Sequence, residues 1–205
     1  MAERLNAPCA FFDVDTRIAD ERGERLIIGP RAQTIEPQLA RILHFAVERR
    51  IPVVATTCVQ TAPIAPVLGQ GATHVRLHGD PSAALAAVAA GATAVFLERC
   101  SYGDGDANVA ACVFDVFHAN PYAAECIRRL GIRRWAVFGV SLEYCVRGAV
   151  MGLCRLGMQV SVLTDAVVPS PRPFGRSSEE VLADFAAAGA RLQTTQAFLD
   201  EIDHG

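Results

Sequence analysis

The sequence predicts an α/β protein: a three-layer, doubly wound and mostly parallel sheet with helices on both faces. Short apolar runs alternate along the chain with stretches of helical periodicity, which is typical of βαβ units. The runs are almost continuously apolar, as expected for strands buried on both faces. With 205 residues, of which 51% are hydrophobic and 20% charged, and no internal repeat or linker, the chain is expected to form one domain over residues 1–205.

Each expected strand is an apolar run bounded by turn residues. The strands are expected at residues 10–15, 53–56, 93–97, 135–140 and 159–164, with a short addition near 191–195. Pro52 precedes the second strand, at an entry position where its missing N–H does least harm. A Gly-Asp-Gly-Asp stretch within residues 100–108 and the prolines of residues 169–173 predict loops.

Helices are expected where apolar residues recur at three- and four-residue spacing. They cover residues 35–49, 81–90, 122–130, 144–156, 178–188 and 197–202. A Pro-Ser pair opens the second helix, and Gly157 after the fourth suits a left-handed C-terminal cap. A Ser-Ser-Glu-Glu sequence at the start of the fifth helix is an N-capping arrangement.

Composition and charge exclude several classes of protein. The net charge of −3 and the dispersed arginines give no reason to expect a nucleic-acid partner. No apolar run reaches the roughly 18–20 residues of a membrane span, and the start lacks a secretory signal, so a cytoplasmic location is expected. The seven cysteines are irregularly spaced without a Cys-x-x-Cys pair, so most are expected to be reduced core residues.

Cys145 is the first candidate for chemistry. Residues 138–146 (Phe-Gly-Val-Ser-Leu-Glu-Tyr-Cys-Val) read as a strand, a short turn and a helix that begins at about the cysteine. Helix N-termini carry unpaired N–H groups and a positive dipole, which favour a nucleophilic thiolate and can stabilise an oxyanion. The alternative, a buried structural cysteine, stays open at this point.

Asp13-Val14-Asp15 ends the first expected strand and gives a second candidate. Ligands of doubly wound sheets collect at the carboxyl ends of strands. A carboxylate there can take a proton from a thiol and return it to a leaving amine. The alternative is a loop acid or a helix cap.

Taken together, these residues resemble the isochorismatase-like cysteine hydrolases of the nicotinamidase group. Gly139 to Val146 is similar to that family's Gly-Val-x-Thr-[Glu/Asp]-Tyr-Cys-Val, and Leu163-Thr-Asp-Ala to its Thr-Asp-Ala. The opening Asp-Val-Asp-Thr and the stretch Phe114-Asp-Val-Phe followed by Asn120-Pro resemble one branch of the family. The resemblance covers residues 8–170 in the same order.

The resemblance implies the roles of several residues. Cys145 would be the nucleophile and Asp15, rather than Asp13, the catalytic aspartate. A cis peptide would lie at Val140–Ser141, the backbone at residues 142–145 would bind the oxyanion, and the protein would be a homo-oligomer, a dimer or tetramer. The residues expected to contact a small-molecule substrate are Val140, Ser141, Leu142, Tyr144 and Phe117; the aromatic ones could equally be core residues.

The chain departs from the family pattern at the catalytic lysine, because it contains no lysine at all. One alignment, which needs no insertion, puts Ala111 at the lysine position. The other puts Arg99 there, in a Leu-Glu-Arg stretch similar to the family's strand-ending Glu-Lys, with a loop inserted afterwards. Arginine could supply positive charge, but its planar fork does not replace an ammonium directly.

The family's metal-binding Asp-x-His pair is also absent. Cys58 and Gln60 stand at its positions, and His74 is the candidate for the later histidine, although a loop or core role suits it better. Cysteine, glutamine and histidine are a poor ligand set for Zn²⁺, so we expect no metal and no other cofactor.

Three functions therefore remain open from the sequence. The first is a cysteine hydrolase that cleaves a small amide or related C–N bond. The second is a pseudoenzyme or small-molecule-binding protein that keeps the fold without turnover. The third is a metal-free vinyl-ether hydrolase of the isochorismatase type, in which an aspartate protonates the substrate and no thiol is needed.

Overall fold

A seven-stranded sheet organises the computed structural model, which describes residues 7–19, 26–58, 74–77, 94–99, 114–120, 123–171 and 175–204. The strands of this sheet, in spatial order, are β5 (His74–Leu77), β6 (Ala94–Arg99), β4 (Val53–Cys58), β1 (Ala10–Val14), β7 (Arg134–Val140), β8 (Gln159–Val168) and β9 (Arg191–Gln193). Every neighbouring pair in it is parallel. The short strands β2 (Arg17–Ala19) and β3 (Leu26–Ile28) form a separate antiparallel pair.

Helices cover both faces of the sheet, which confirms the predicted three-layer, doubly wound architecture. The described α-helices are α1 (Glu36–Glu48), α2 (Val116–Ala119), α3 (Ala123–Leu130), α4 (Arg147–Arg155), α5 (Ser178–Ala187) and α6 (Thr195–Asp203). Apolar residues of α1 and α6 pack on one face, and those of α3, α4 and α5 pack on the other. Each layer contributes its own hydrophobic cluster, so the sheet is buried between them.

Strand β1 lies at the centre of the sheet and contributes alternate side chains to the two clusters. Phe12 and Val14 pack on the side of α4, whereas Phe11 packs on the side of α1 and α6. The Phe12 ring lies 6.1 Å from the Trp135 ring and that of Phe11 lies 5.9 Å from the Phe198 ring. This alternation decides which side of the sheet each β1 residue can reach.

Several elements differ from the sequence prediction. Strand β8 continues to Val168 because its pairing with β7 shifts register after Val137. The β2–β3 pair, β5 and α2 were not predicted, since three or four residues give no readable periodicity. His74 is the first residue of β5 and does not lie in a loop. The helix expected at 81–90 and the loop expected at 100–108 lie outside the described residues.

No helix in the part of the chain that the structure describes has the length and apolar character needed to cross a membrane.

Helix α5 begins with the predicted capping arrangement. Ser177 Oγ accepts a hydrogen bond from the Glu180 N–H, and the Ser177 N–H donates to the Glu180 carboxylate at 2.8 Å. We expect Ser177→Ala to lower the free energy of unfolding by about 1 kcal/mol, measured by urea denaturation. Ser177→Thr keeps the hydroxyl and is the control; equal stability of the alanine variant and the wild type would contradict the capping role.

Candidate active site

Strands β1 and β7 approach each other closely at their carboxyl ends. Val14 pairs with Gly139, whose φ is +129°. A Cβ added to Gly139 would lie 2.0 Å from the Val14 carbonyl oxygen, so only glycine fits. Asp15 follows Val14 directly, and Ser141 comes two residues after Gly139. The residues that follow β1 and β7 therefore lie at the same edge of the sheet.

The cysteine lies in a helical turn that continues into α4. Leu142–Val146 forms one π-helical turn, and the Ser141 carbonyl accepts from the N–H groups of Tyr144 (3.1 Å) and Val146 (3.2 Å). The helix therefore begins at Leu142, two residues before the start that the sequence predicted at Tyr144. The earlier start has a local cause, since the π turn fits one extra residue into the first turn of the helix.

Cys145 is a half-buried thiol within this first turn. Its side chain packs against the hydrophobic cluster that contains Phe12 and Val14. The peptide bond between Val140 and Ser141 is cis, as the family resemblance implied. The turn thus places a thiol near the amino end of a helix, where the dipole is positive.

Asp15 is anchored to the neighbouring strand β4. Its Oδ1 accepts a hydrogen bond from the Thr56 hydroxyl at 2.9 Å, and its N–H donates to the Thr56 carbonyl at 3.3 Å. Asp15 has a φ of 52°, a left-handed conformation that aspartate tolerates better than most residues. The carboxylate is half-buried, and Thr56 fixes its position at the sheet edge.

Asp13 occupies a different environment from Asp15. Its side chain is 3% exposed and its Oδ1 accepts a hydrogen bond of 2.6 Å from the Thr16 hydroxyl. Burial raises the pKa of this carboxyl above its usual range. Since Val14 faces the cluster against which Cys145 packs, the preceding residue Asp13 faces the opposite side of the sheet. Asp15 follows the end of β1 with a φ of 52°, so it leaves this alternation and lies at the carboxyl edge at which β7 also ends.

The five residues expected to contact substrate differ in how they are packed. Val140, Ser141 and Leu142 are buried. The Phe117 ring packs 6.2 Å from the Phe12 ring. The Tyr144 ring is half-buried and lies 5.0 Å from the Phe114 ring. Their contact with substrate stays a prediction.

A cavity of about 260 Å³ lies beside the cysteine turn, between residues 114–115 and helix α4. Its lining consists of Phe114, Asp115, Glu143, Tyr144, Arg147, Gly148, Met151 and Arg155. Two of the lining groups, Arg155 and Asp115, form an ion pair at 2.8 Å. Cys145 is not among the described residues of this lining, although its neighbour Tyr144 is.

Of the two candidates for the lysine position, Arg99 and Ala111, the structure describes only Arg99. Arg99 is the last residue of β6 and pairs with Cys58 at the end of β4. Its backbone therefore lies at the same carboxyl edge of the sheet as Asp15. Ala111 lies outside the described residues.

Two of the residues at the family's metal positions, Cys58 and His74, do not come together in this fold. Cys58 ends β4 at the carboxyl edge, whereas His74 begins β5 and aligns through Ala94 with Val53 at the opposite edge. Five residues of strand separate these levels, which corresponds to about 16 Å. Cys58 and His74 therefore cannot bind one metal ion together. Gln60 lies outside the described residues, among which no cluster of metal-binding side chains occurs.

Three residues that hold the site together were not singled out from the sequence. Thr56 anchors Asp15, Gly139 permits the close approach of β1, and Glu143 is buried within the cysteine turn. Glycine inside a predicted strand is a recognised sign of close backbone approach, so Gly139 could have been found. No local signal marks Thr56, because its partner is distant in sequence. Glu143 stands at the [Glu/Asp] position of the family pattern, but that pattern does not indicate its partners.

Solved structures share this fold at low sequence identity. A pyrazinamidase of Pyrococcus horikoshii in complex with zinc is 20% identical, with a TM-score of 0.61, over 91% of this chain and 99% of that chain. The nicotinamidase of Staphylococcus aureus is 18% identical, with a TM-score of 0.56, over 91% and 99% of the two chains. The YcaC gene product of Escherichia coli, described as an octameric hydrolase of unknown specificity, is 19% identical, with a TM-score of 0.56, over 97% and 80%.

No curated protein sequence matches the chain. The family model described as the isochorismatase domain, however, matches residues 24–197. This match covers most of the chain, including the cysteine turn, and begins after Asp15. It agrees with the architecture and with the resemblance of the motifs from residue 114 onwards. The chain therefore belongs to the isochorismatase family.

Proposed function

We propose that this protein is a cysteine hydrolase that cleaves a small amide or related C–N bond. Cys145 is the nucleophile and Asp15 the general acid and base. The observation that carries the proposal is the close approach of β1 and β7, which directs the acid and the cysteine turn to one edge of the sheet. Membership of the isochorismatase family and the amidase activities named for two structural neighbours support it.

The proposed reaction has two halves. Asp15 takes the proton of the Cys145 thiol, the thiolate attacks the carbonyl carbon, and the carbonyl π electrons move to the oxygen. Backbone N–H groups of the turn at residues 142–145 stabilise that oxyanion. As the intermediate collapses, Asp15 donates the proton to the leaving amine. Water then attacks the acyl-enzyme, Asp15 accepts its proton and returns it to the thiolate, and the acid is released.

The absence of lysine sets an expected limit on the rate. A helix dipole contributes about 0.3–1 kcal/mol at exposed sites and up to roughly 2 kcal/mol when partly buried, which is less than two pKa units. Alone, it would lower the thiol pKa only modestly from its usual value of about 8.5. We therefore propose that turnover is slow unless Arg99 supplies positive charge from the end of β6.

The same absence favours a second candidate, a pseudoenzyme that binds a small molecule without turnover. Such a protein would keep the turn and the acid for binding, with Cys145 mainly protonated at neutral pH. Neither candidate routes a step through a metal, because Cys58 and His74 lie too far apart to bind one ion together. We also propose a homo-oligomer, supported by the octamer described for the Escherichia coli neighbour. The cytoplasmic location and the single domain stay predictions from the sequence.

Alkylation by iodoacetamide between pH 5 and pH 10, with peptide mapping, tests the nucleophile. Burial raises the pKa of Cys9 to about 12 and that of Cys126 to about 11, so these thiols should not react at neutral pH. We expect Cys145 to react at pH 7 about tenfold faster than the same cysteine in the urea-unfolded chain. Cys145→Ser controls for reaction at other cysteines.

Two outcomes separate the candidates. If Cys145 reacts no faster in the folded chain than in the unfolded chain, the thiolate nucleophile is contradicted. If it reacts faster but ammonia is not released from nicotinamide, pyrazinamide or other small amides, the pseudoenzyme is favoured. Mass spectrometry of the intact protein after mixing with each amide would reveal an acyl-enzyme that forms and is not hydrolysed.

A further inference from the structure

Glu143 is a buried carboxylate two residues before Cys145. It is 6% exposed, and its two oxygens accept hydrogen bonds from different segments of the chain. The Ser170 N–H donates to Oε2 at 2.7 Å, and the Ser178 hydroxyl donates to Oε1 at 2.6 Å. Hydrogen bonds to an ionised acceptor are about twice as strong as neutral ones, so this arrangement holds the side chain firmly.

The two donors lie far from Glu143 in sequence and belong to separate elements. Ser170 follows the end of β8, and Ser178 is the first residue of α5. The carboxylate therefore also lies at the amino end of a ten-residue helix, where the dipole favours negative charge. One side chain thus joins the π turn of residues 142–146 to two segments that pack beside it.

The neighbouring residues of the turn make contacts that differ from those of Glu143. Ser141 holds the turn through its own backbone carbonyl, and Tyr144 packs on Phe114. Both interactions involve residues on the side of α2 and α4. Glu143 supplies a tie on the other side, towards β8 and α5, in addition to the ion pair of Arg147 with Asp184 of α5 at 3.5 Å. The loss of Glu143 would therefore loosen the turn relative to those elements.

We infer that Glu143 is a positioning residue that fixes the backbone of the cysteine turn, and hence Cys145, relative to β8 and α5. The part that concerns reactivity rests on the proposed role of Cys145 as the nucleophile. Without the carboxylate, the N–H groups of the turn would no longer keep a fixed orientation around the thiol. The thiolate would lose part of its stabilisation, and the apparent pKa of Cys145 would move towards that of an ordinary thiol.

The test compares Glu143→Gln with the wild type in two measurements. Glutamine keeps the size of the side chain but cannot accept two hydrogen bonds through two equivalent oxygens. We expect hydrogen exchange of the amides of residues 142–146 to become about tenfold faster. We expect alkylation of Cys145 at pH 7 to fall about threefold, with the midpoint of its pH profile shifted upwards. Glu179→Gln, an exposed carboxylate on α5, is the matched control.

Ser178→Ala keeps the test decisive if the glutamine variant does not fold. It removes one of the two donors, and we expect the same changes at about half the size on a logarithmic scale. Unchanged amide exchange in the folded variants would overturn the inference. Faster exchange with an unchanged pH profile of a reactive Cys145 would also overturn it, because Glu143 would then support the fold alone. A third outcome is faster amide exchange in the variants together with a wild-type Cys145 that is no more reactive than an ordinary thiol. That outcome would support the positioning of the turn by Glu143 and contradict the proposed hydrolase.

Discussion

Replacing Gly139 with alanine is expected to lower the free energy of unfolding by roughly 3 kcal/mol or more. The added Cβ would lie 2.0 Å from the Val14 carbonyl oxygen and 2.8 Å from the Val14 carbonyl carbon and amide nitrogen. These are backbone atoms of the central strand, so no side chain can rotate away to make room. The φ of +129° adds strain for any residue with a Cβ.

The same change should also separate the acid from the cysteine turn. Strands β1 and β7 can accommodate the methyl group only by moving apart at their carboxyl ends. Asp15 directly follows the end of β1, and Ser141 directly follows the end of β7. We therefore expect the alkylation rate of Cys145 at pH 7 to fall towards that of the unfolded chain. Thermal unfolding should show a midpoint lowered by roughly 6–12 °C, measured by circular dichroism.

Gly157→Ala is the matched control for the glycine substitution. Gly157 also has a positive φ, +74°, but nothing lies within 4 Å of an added Cβ. The control therefore measures the strain of the backbone conformation without the clash, at a cost of about 1–2 kcal/mol. Equal stability of the two alanine variants would contradict the close approach of β1 and β7.

Cys145→Ala and Asp15→Asn should each abolish amide hydrolysis, with kcat/KM reduced at least about a thousandfold. The alanine variant lacks the atom that forms the acyl-enzyme. The asparagine variant cannot move the proton, although it keeps the size of the side chain and can still accept the hydrogen bond from Thr56. Because the two groups act in one step, the double variant should lose little more than either single variant.

Cys154→Ala is the control for the cysteine substitution. Cys154 is a half-buried thiol in α4, and burial raises its pKa. Activity should survive this change within about twofold, because the residue packs at the far end of the helix. Hydrolysis that persists in Cys145→Ala would contradict the role of Cys145 as the nucleophile. It would favour a reaction in which Asp15 alone transfers a proton, as in vinyl-ether hydrolysis.

Local patterns in the sequence were sufficient to locate most of the large elements. The apolar runs predicted β1, β4, β6 and β7 within about two residues, because strands buried on both faces leave an unbroken apolar signature. The capping sequence at Ser177 placed the start of α5 correctly. The predicted start of the cysteine helix, at Tyr144, was two residues too late, since a π turn has no sequence signature of its own.

Sequence patterns predicted the layered fold, the strand that leads to the cysteine and the two acids at the end of β1, because each depends on neighbouring residues in the chain. Features that depend on pairing across the sheet could not be predicted in this way. Strand order and register determine three such features: the side of the sheet on which Asp13 lies, the anchoring of Asp15 by Thr56, and the separation of His74 from Cys58. A shift of one residue in register turns every side chain to the opposite face, so these contacts exist only once the strands are paired.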